Sequence, residues 1–470
     1  MFALSSKLRP SCLRDLSFKP FTLNSQASSY QANRQNRSFA TTAASGNSIV
    51  FVDGVRTPFL QSGTDYKDML SYELQKHAVL SLLRKLQLNA AEIDYLVVGT
   101  VIQEAKTANV AREVALTAGL PLSIPAHTCT QACISANQAI TQAAAFINAG
   151  MIKTAIAGGV EFLSDVPIRV SRKMRKLLLD ANKAKGVSQY LSLLARIRLN
   201  YLNLEVSLPA IAEFTTNETM GHSGDRLAAS FRVSRKEQDE YAFRSHSHAE
   251  KAQKAGLLDD IAPITLSKKR IDKDNGIRVS NLEKMSKLKP AFVKPHGTVT
   301  AANASFLTDG ASACLITTEA QAKKLGLKPK AYIRKAVFTA QDPADQLLLG
   351  PAYSTPKVLN EAKLSLGDID VFEIHEAFAG QVLANLKALD CEWFCKEYLK
   401  RSEKVGQIPM EKVNAWGGSL SIGHPFGATG TRLLTMAANR LIKQDGRYGL
   451  IAACAAGGLG HGMIIERYPN

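Results

Sequence analysis

The chain has 470 residues, 46% of them hydrophobic and 21% charged, which exceeds one ordinary domain, suits two, and supports an ample buried core. Nowhere do 18 apolar residues run uninterrupted, so no segment reads as a helix that crosses a bilayer. The net charge of +17 suggests a polyanion partner, but 13 of those charges sit in two short segments. Residues 1–45 carry six basic side chains against Asp15, and residues 169–200 carry nine against Asp180. A nucleic-acid reader would spread its cations over a folded face and show a reading motif; none is present, so no nucleic-acid partner is expected.

The first 45 residues are rich in Arg, Ser and Gln and almost free of acid, the composition of a mitochondrial presequence. Arg37-Ser38-Phe39 before Ala40 suits matrix-peptidase cleavage. Seven cysteines without paired spacing fit a reducing compartment and not a disulfide framework.

The fold is expected to start near Ser48, with a strand at 49–52 and a turn at Gly54. An amphipathic helix follows at 72–86, a strand at 95–98 and a helix at 109–118. Residues 134–147 are Ala-rich and apolar on most sides, which predicts a buried helix. Ala155-Ile156-Ala157 predicts a buried strand that ends at Gly158-Gly159. Residues 162–300 are more charged and irregular, and read as an insertion lying over the first half. Within it Met174, Leu177, Leu178 and Ala181, then Val187, Tyr190, Leu191, Leu194, Ile197 and Tyr201, keep helical spacing opposite the cations of 169–200. A basic amphipathic pair of helices over about 169–208 reads as an interfacial anchor on anionic lipid; docking on a partner protein or a lid over a ligand's phosphate are the alternatives.

Beyond residue 320 the rhythm repeats: strand 331–337, helix 355–363, strand 371–374, helix 379–389, a buried helix 429–441 and a strand 448–453. Two βα halves of similar size predict an α/β layered sheet built by internal duplication.

Four scattered segments carry chemistry. Gln131-Ala132-Cys133-Ile134-Ser135 places Cys133 at the mouth of the first buried helix. There the unpaired N–H groups and the dipole's positive end are expected to lower the thiol pKa and to offer an oxyanion site. Glu373-Ile374-His375-Glu376-Ala377-Phe378 puts His375 at a strand's carboxyl edge, where α/β folds place their sites. No second His follows at metal-binding spacing, and no metal site is expected. Asn414 to Gly430 holds five glycines around His424-Pro425, a backbone that can approach a ligand closely. Finally Cys454 ends a buried strand and enters the turn Ala455-Ala456-Gly457-Gly458. Neither glycine run is a nucleotide fingerprint.

Together these segments resemble the thiolase family over residues 48–470, along with Val55-Arg56-Thr57-Pro58-Phe59 and the stretch from Thr300 to Ala311. Ser164-Asp165-Val166-Pro167-Ile168-Arg169 with its basic insertion, and His375 where most thiolases carry Asn, are similar to mitochondrial members that work beside a hydratase/3-hydroxyacyl-CoA dehydrogenase alpha subunit. The resemblance implies a thiolase fold: two duplicated βαβαβαββ halves, 48–320 and 321–470, forming a layered αβαβα core with an inserted loop domain. It implies thiolytic cleavage of a long-chain 3-oxoacyl-CoA by coenzyme A, the last step of mitochondrial β-oxidation. Coenzyme A is then a co-substrate, with no tightly bound cofactor. A short-chain acetoacetyl-CoA thiolase and a catalytically silent membrane scaffold are the alternatives.

By that resemblance Cys133 attacks the keto carbon after His424 takes its proton, and Cys454 exchanges protons with the enolate and with incoming CoA. An unperturbed thiol pKa near 8.5 suits such a shuttle. The backbone N–H groups of Cys133 and Ala456 hold one oxyanion. His424 holds the thioester oxygen together with a water that the family's Asn holds; His375 stands in that Asn's place, to donate directly or through water. Ser305 matches a residue near the CoA pantetheine. The family implies a homodimer, here within a hetero-oligomer, in the matrix and peripheral on the inner membrane.

Overall fold

The computed structural model describes residues 48–196 and 212–469. The expected presequence, and the end of the amphipathic region with Ile197 and Tyr201, lie outside the described residues.

Nine strands form the body: β1 (Ile49–Arg56), β2 (Tyr95–Gly99), β3 (Ala126–Cys129), β4 (Thr154–Glu161), β5 (Thr308–Thr318), β6 (Ala331–Ala340), β7 (Val371–Ile374), β8 (Tyr448–Ala455) and β9 (Leu459–Arg467). They hydrogen-bond in the order β7-β8-β9-β6-β1-β5-β4-β2-β3, and the two-residue strand Leu60–Gln61 pairs with β5. The first five strands run β3-β2-β4-β5-β1, with parallel pairs around β2 and antiparallel pairs on either side of β5. The last four repeat that path as β7-β8-β9-β6 with the same directions. The counterpart of β3 is reduced to one parallel bridge, Phe372 to Val413. The repeated topology is the expected duplication. The two sheets join edge to edge where β1 meets β6, Val50 opposite Tyr332.

Helices α1 (Ser71–Leu86) and α2 (Val110–Thr117) cover one face of the first sheet. Helices α3 (Ser135–Asn148) and α11 (Thr429–Lys443) fill the layer between the sheets, where Ile140, Ala143 and Ile147 pack with Leu433, Leu434, Ala437 and Leu441. Helices α8 (Gly350–Ala362) and α9 (Ala379–Leu389) cover the far face of the second sheet. This gives the αβαβα layering. From Thr429 to Leu441 every residue of α11 is buried, its apolar residues in the layer between the sheets and its polar ones, Arg432 and Arg440 among them, on buried partners.

The second basic and charged region departs from expectation. Residues 162–300 contain the expected amphipathic pair, α4 (Arg172–Lys183) and α5 (Val187–Arg196), and two helices that were not expected, α6 (Met220–Ser230) and α7 (Arg235–Lys254). Leu227, Tyr241, Ala242, Met285 and Val299 pack into the core of the second half, whereas Ala262, Ile264 and Ile271 pack on the first, so the insertion spans both. Polarity misled here because α7 buries polar Gln238, Asp239 and Ser245 among its inward residues.

Two boundaries also moved. Strand β4 does not stop at Gly158-Gly159 but runs through them to Glu161. A Cβ on Gly159 would lie 1.8 Å from the Gly427 carbonyl oxygen, so the glycine marks a close crossing of the His424 loop over the strand. Helix α8 begins five residues before the expected start, with Pro351 in its first turn, where a missing N–H costs nothing.

Candidate active site

The two central helices begin at the same edge of the molecule, and the reactive side chains gather there. Cys133 precedes α3 directly, with Ile134 as N-cap. Ala132 is left-handed, φ 46°, an unusual conformation for a residue with a side chain. Ser135 holds this turn: its hydroxyl donates to the Ala132 carbonyl at 2.7 Å and accepts from Gln131 N–H at 2.9 Å.

The expectation of a lowered Cys133 pKa is overturned. Burial, with the Glu161 carboxylate adding to it, pushes the thiol up to about 11, although the Ala456 N–H donates to its sulfur. The residue keeps partial exposure, but protein surrounds the sulfur closely enough for desolvation to outweigh the helix end. Cys133 therefore rests as a thiol and needs a base. Cys454 is likewise raised, first by burial and then by Cys133 beside it, so the near-neutral thiol assumed from its ordinary pKa is also corrected. It ends β8 at the turn, where Gly457 and Gly458 carry positive φ and Ala456 does not.

The tautomer of His424 is geometrically defined. His424 Nδ1 lies 2.7 Å from Thr429 Oγ1, and the Thr429 hydroxyl donates its hydrogen to the Pro425 carbonyl at 2.9 Å. Thr429 can then only accept from the ring, so Nδ1 carries the proton and Nε2 presents a lone pair. Burial and the facing His375 lower the His424 pKa, keeping it neutral. The His424 backbone N–H is held by Thr308 Oγ1 at 3.0 Å. His375 stacks against it, ring centroids 4.0 Å apart, and its pKa falls to about 3 through burial and the Arg432 charge. Both Nε2 atoms are buried without a protein partner, two polar atoms facing whatever enters.

Supporting groups are dense. Asn414 side-chain atoms bridge the Ile374 N–H and carbonyl, each at 2.8 Å. Glu376 accepts from Tyr241, Ser245, Asn414 and the Leu420 N–H. The residues from Ser419 to Ile422, expected as loop, form the short helix α10. Ser305 donates its N–H to the Ala377 carbonyl at 2.9 Å, beside the bridges Ala304–Phe378 and Leu307–His424, so it borders the site without touching its reactive atoms.

Sequence reading missed Glu161, Thr429, Ser419 and Arg432. Glu161 accepts from the N–H groups of Val101, Ile102 and Gly427, tying the His424 loop to the end of β2, and burial raises it to about 8. An acid closing a buried strand was a signal available for it. Ser419 and Arg432 lie in different helices and carried none. Among the described residues no group of three or more His, Cys, Asp or Glu could hold a metal ion.

A thiol that contacts a turn N–H, a second thiol beside it and a base with a bare nitrogen are the parts of an acyl-transfer centre that works through a thioester. The Thiolase, N-terminal domain family matches residues 49–320 and the Thiolase, C-terminal domain family residues 327–467. The chain belongs to the thiolase family. It is 58% identical over 455 residues to the human mitochondrial trifunctional enzyme subunit beta, covering 97% of this chain and 96% of that relative. It is 60% identical over 423 residues to a probable 3-ketoacyl-CoA thiolase of Caenorhabditis elegans, covering 89% of this chain and 94% of the relative. The crystal structure of human mitochondrial 3-ketoacyl-CoA thiolase superposes with a TM-score of 0.78 at 28% identity, covering 90% of this chain and 99% of that one. Its complex with CoA matches at 0.77 and 29% identity, covering 90% and 98%.

Proposed function

We propose that this enzyme is a mitochondrial 3-ketoacyl-CoA thiolase, the beta subunit of a trifunctional complex, cleaving long-chain 3-oxoacyl-CoA with coenzyme A. One set of contacts carries the chemistry: Cys133 is contacted by the Ala456 N–H, flanked by Cys454 and near Glu161, and Glu161 also holds the Gly427 N–H of the loop that carries His424, whose Nε2, like that of His375, is unpaired.

His424 Nε2 takes the Cys133 proton, and the sulfur adds to the 3-keto carbon. The oxyanion forms against the backbone N–H groups of Cys133 and Ala456. The Cα–Cβ bond breaks to leave an acyl-Cys133 thioester and the enolate of acetyl-CoA, whose oxygen faces the two histidine Nε2 atoms. Cys454 protonates the enolate carbon, and acetyl-CoA leaves. The Cys454 thiolate then takes the proton of incoming CoA, whose sulfur collects the acyl group and releases Cys133, which recovers its proton from His424. Two thiols held high in pKa suit this cycle: the Cys133 thiolate exists only while His424 holds its proton, and the Cys454 thiolate, whose proton leaves in acetyl-CoA, exists only until incoming CoA supplies another.

The same reading takes residues 1–45 as the presequence, 48–320 and 321–470 as the two halves, and a homodimer joined to an alpha subunit. Membrane association at the inner membrane is supported by α4 and α5. Leu177 and Leu193 are buried, while Leu178, Leu179, Leu191 and Leu194 are each more than half exposed near Lys173, Arg175 and Lys176. No helix among the described residues is long and apolar enough to cross a membrane, so the association would be interfacial.

Mass spectrometry after incubation with a 3-oxoacyl-CoA in the absence of free CoA tests the chemistry. An acyl adduct on Cys133 is expected; an adduct elsewhere, or none, rejects the mechanism. Preference for acetyl-CoA condensation over long-chain thiolysis would favour the short-chain alternative.

A further inference from the structure

His375 is a donor only in one tautomer, and the side chains behind it decide which. Its Nδ1 lies 2.9 Å from Ser419 Oγ, and Arg432 Nη2 donates to that same oxygen at 2.8 Å. A guanidinium has no lone pair to offer, so it can use only an acceptor site of the hydroxyl. The single hydroxyl hydrogen is then left for His375 Nδ1, the other polar atom in contact with Ser419 Oγ. Reversing this bond would put the proton on Nδ1, strand the hydroxyl hydrogen in a buried site and leave Nε2 a bare lone pair facing that of His424.

The arrangement is the inverse of the one at His424, where Thr429 is committed to Pro425 and must accept. Two rings 4.0 Å apart thus receive opposite tautomers from two neighbouring hydroxyls. Arg432 is itself anchored: it is buried, pairs with Glu373 at 3.5 Å, and Glu373 is gripped on its other oxygen by Arg440 at 2.7 Å. Glu376 also lies within electrostatic reach of Arg432, so the two guanidinium groups face two buried carboxylates and the cluster is balanced.

We propose that Ser419 and Arg432 are a positioning pair that fixes His375 in its Nε2–H tautomer, making it a neutral hydrogen-bond donor to the substrate thioester oxygen beside the base His424. This rests on the reading of the His375–His424 face as the thioester-oxygen site.

The test compares Ser419→Ala and Ser419→Thr in two backgrounds, the native chain and His375→Asn, because an amide donates without needing a tautomer set for it. In the native background Ser419→Ala should lower kcat about 10-fold, a fraction of what a lost oxyanion donor costs, with KM little changed. Ser419→Thr, which keeps the hydroxyl, should restore most of that loss. In the His375→Asn background Ser419→Ala should change kcat less than about 2-fold. Equal losses in both backgrounds would overturn the pairing and make Ser419 merely structural. Nitrogen-15 spectra of histidine-labelled native enzyme, with His375 assigned by its absence in His375→Asn, give an independent reading should a variant fail to fold. A protonated Nε2 supports the proposal, and a protonated Nδ1 overturns it. If His375→Ala retains full kcat, the thioester-oxygen site fails whatever the tautomer, so the two failures are distinguishable.

Discussion

The two halves share one topology and, on the mechanism proposed above, divide one reaction between them. In the first, the loop entering α3 carries Cys133, β4 ends on Glu161, and β2 is followed by Thr100. At the equivalent places in the second, the loop entering α11 carries His424, β8 ends around Cys454, and β7 is followed by His375. The nucleophile and its carboxylate anchor come from one half, and the proton-handling groups come from the other. Duplication brings paired helix N-termini to a shared edge, and divergence at matching positions makes a site that neither half has alone. The halves also differ in how they neutralise buried charge. Arg56 is held by Asp260 at 2.9 Å and Asp274 at 2.6 Å, a net negative cluster, whereas Glu373 faces two arginines behind the histidines.

The division can be broken most severely at the nucleophile. Cys133→Ala should abolish acyl adducts and reduce thiolysis by at least about 10⁴-fold, as for other nucleophile deletions. Cys454→Ala leaves attack possible but removes the proton shuttle. It should cost about 10²- to 10⁴-fold in turnover while acyl-Cys133 still forms, seen by intact-mass measurement. Equal loss of adduct in both variants would mean that the halves do not divide the roles.

Next in size is a stability effect. Arg56→Ala leaves Asp260 and Asp274 buried without their cation and should destabilise the fold by about 3–5 kcal/mol in denaturant unfolding. The smallest effect sharpens the electrostatics of Cys133. A carboxylate beside a thiol disfavours the thiolate, so Glu161→Gln, which removes that charge, should lower the Cys133 pKa from its value of about 11. The pH profile of Cys133 alkylation should move toward lower pH, and movement the other way would mean that loss of the Gly427 anchor dominates.

Much was legible before folding because local rules governed it. The period of apolar residues located α1, α3, α9 and α11 within two or three residues, since burial on one side or all round writes itself into composition. Strands β5 and β9 escaped because they open on small or glycine-rich residues, Thr308–Ala311 and Leu459–Gly462, that read as motif or loop. The length of β4 was hidden for the same reason: only the crossing of Gly427 over Gly159 explains why glycine sits inside a strand.

The sequence by itself singled out Cys133, His375, His424 and Cys454 as the proposed reactive groups, because the proposed chemistry demands such atoms whatever surrounds them. Their protonation was decided by tertiary structure alone. Burial made Cys133 a thiol against the pull of a helix end, the Thr429 hydroxyl bared His424 Nε2, and Arg432, 57 positions beyond His375, came to lie behind it through Ser419. A pKa and a tautomer are properties of an environment, and that environment is assembled from both halves of the chain.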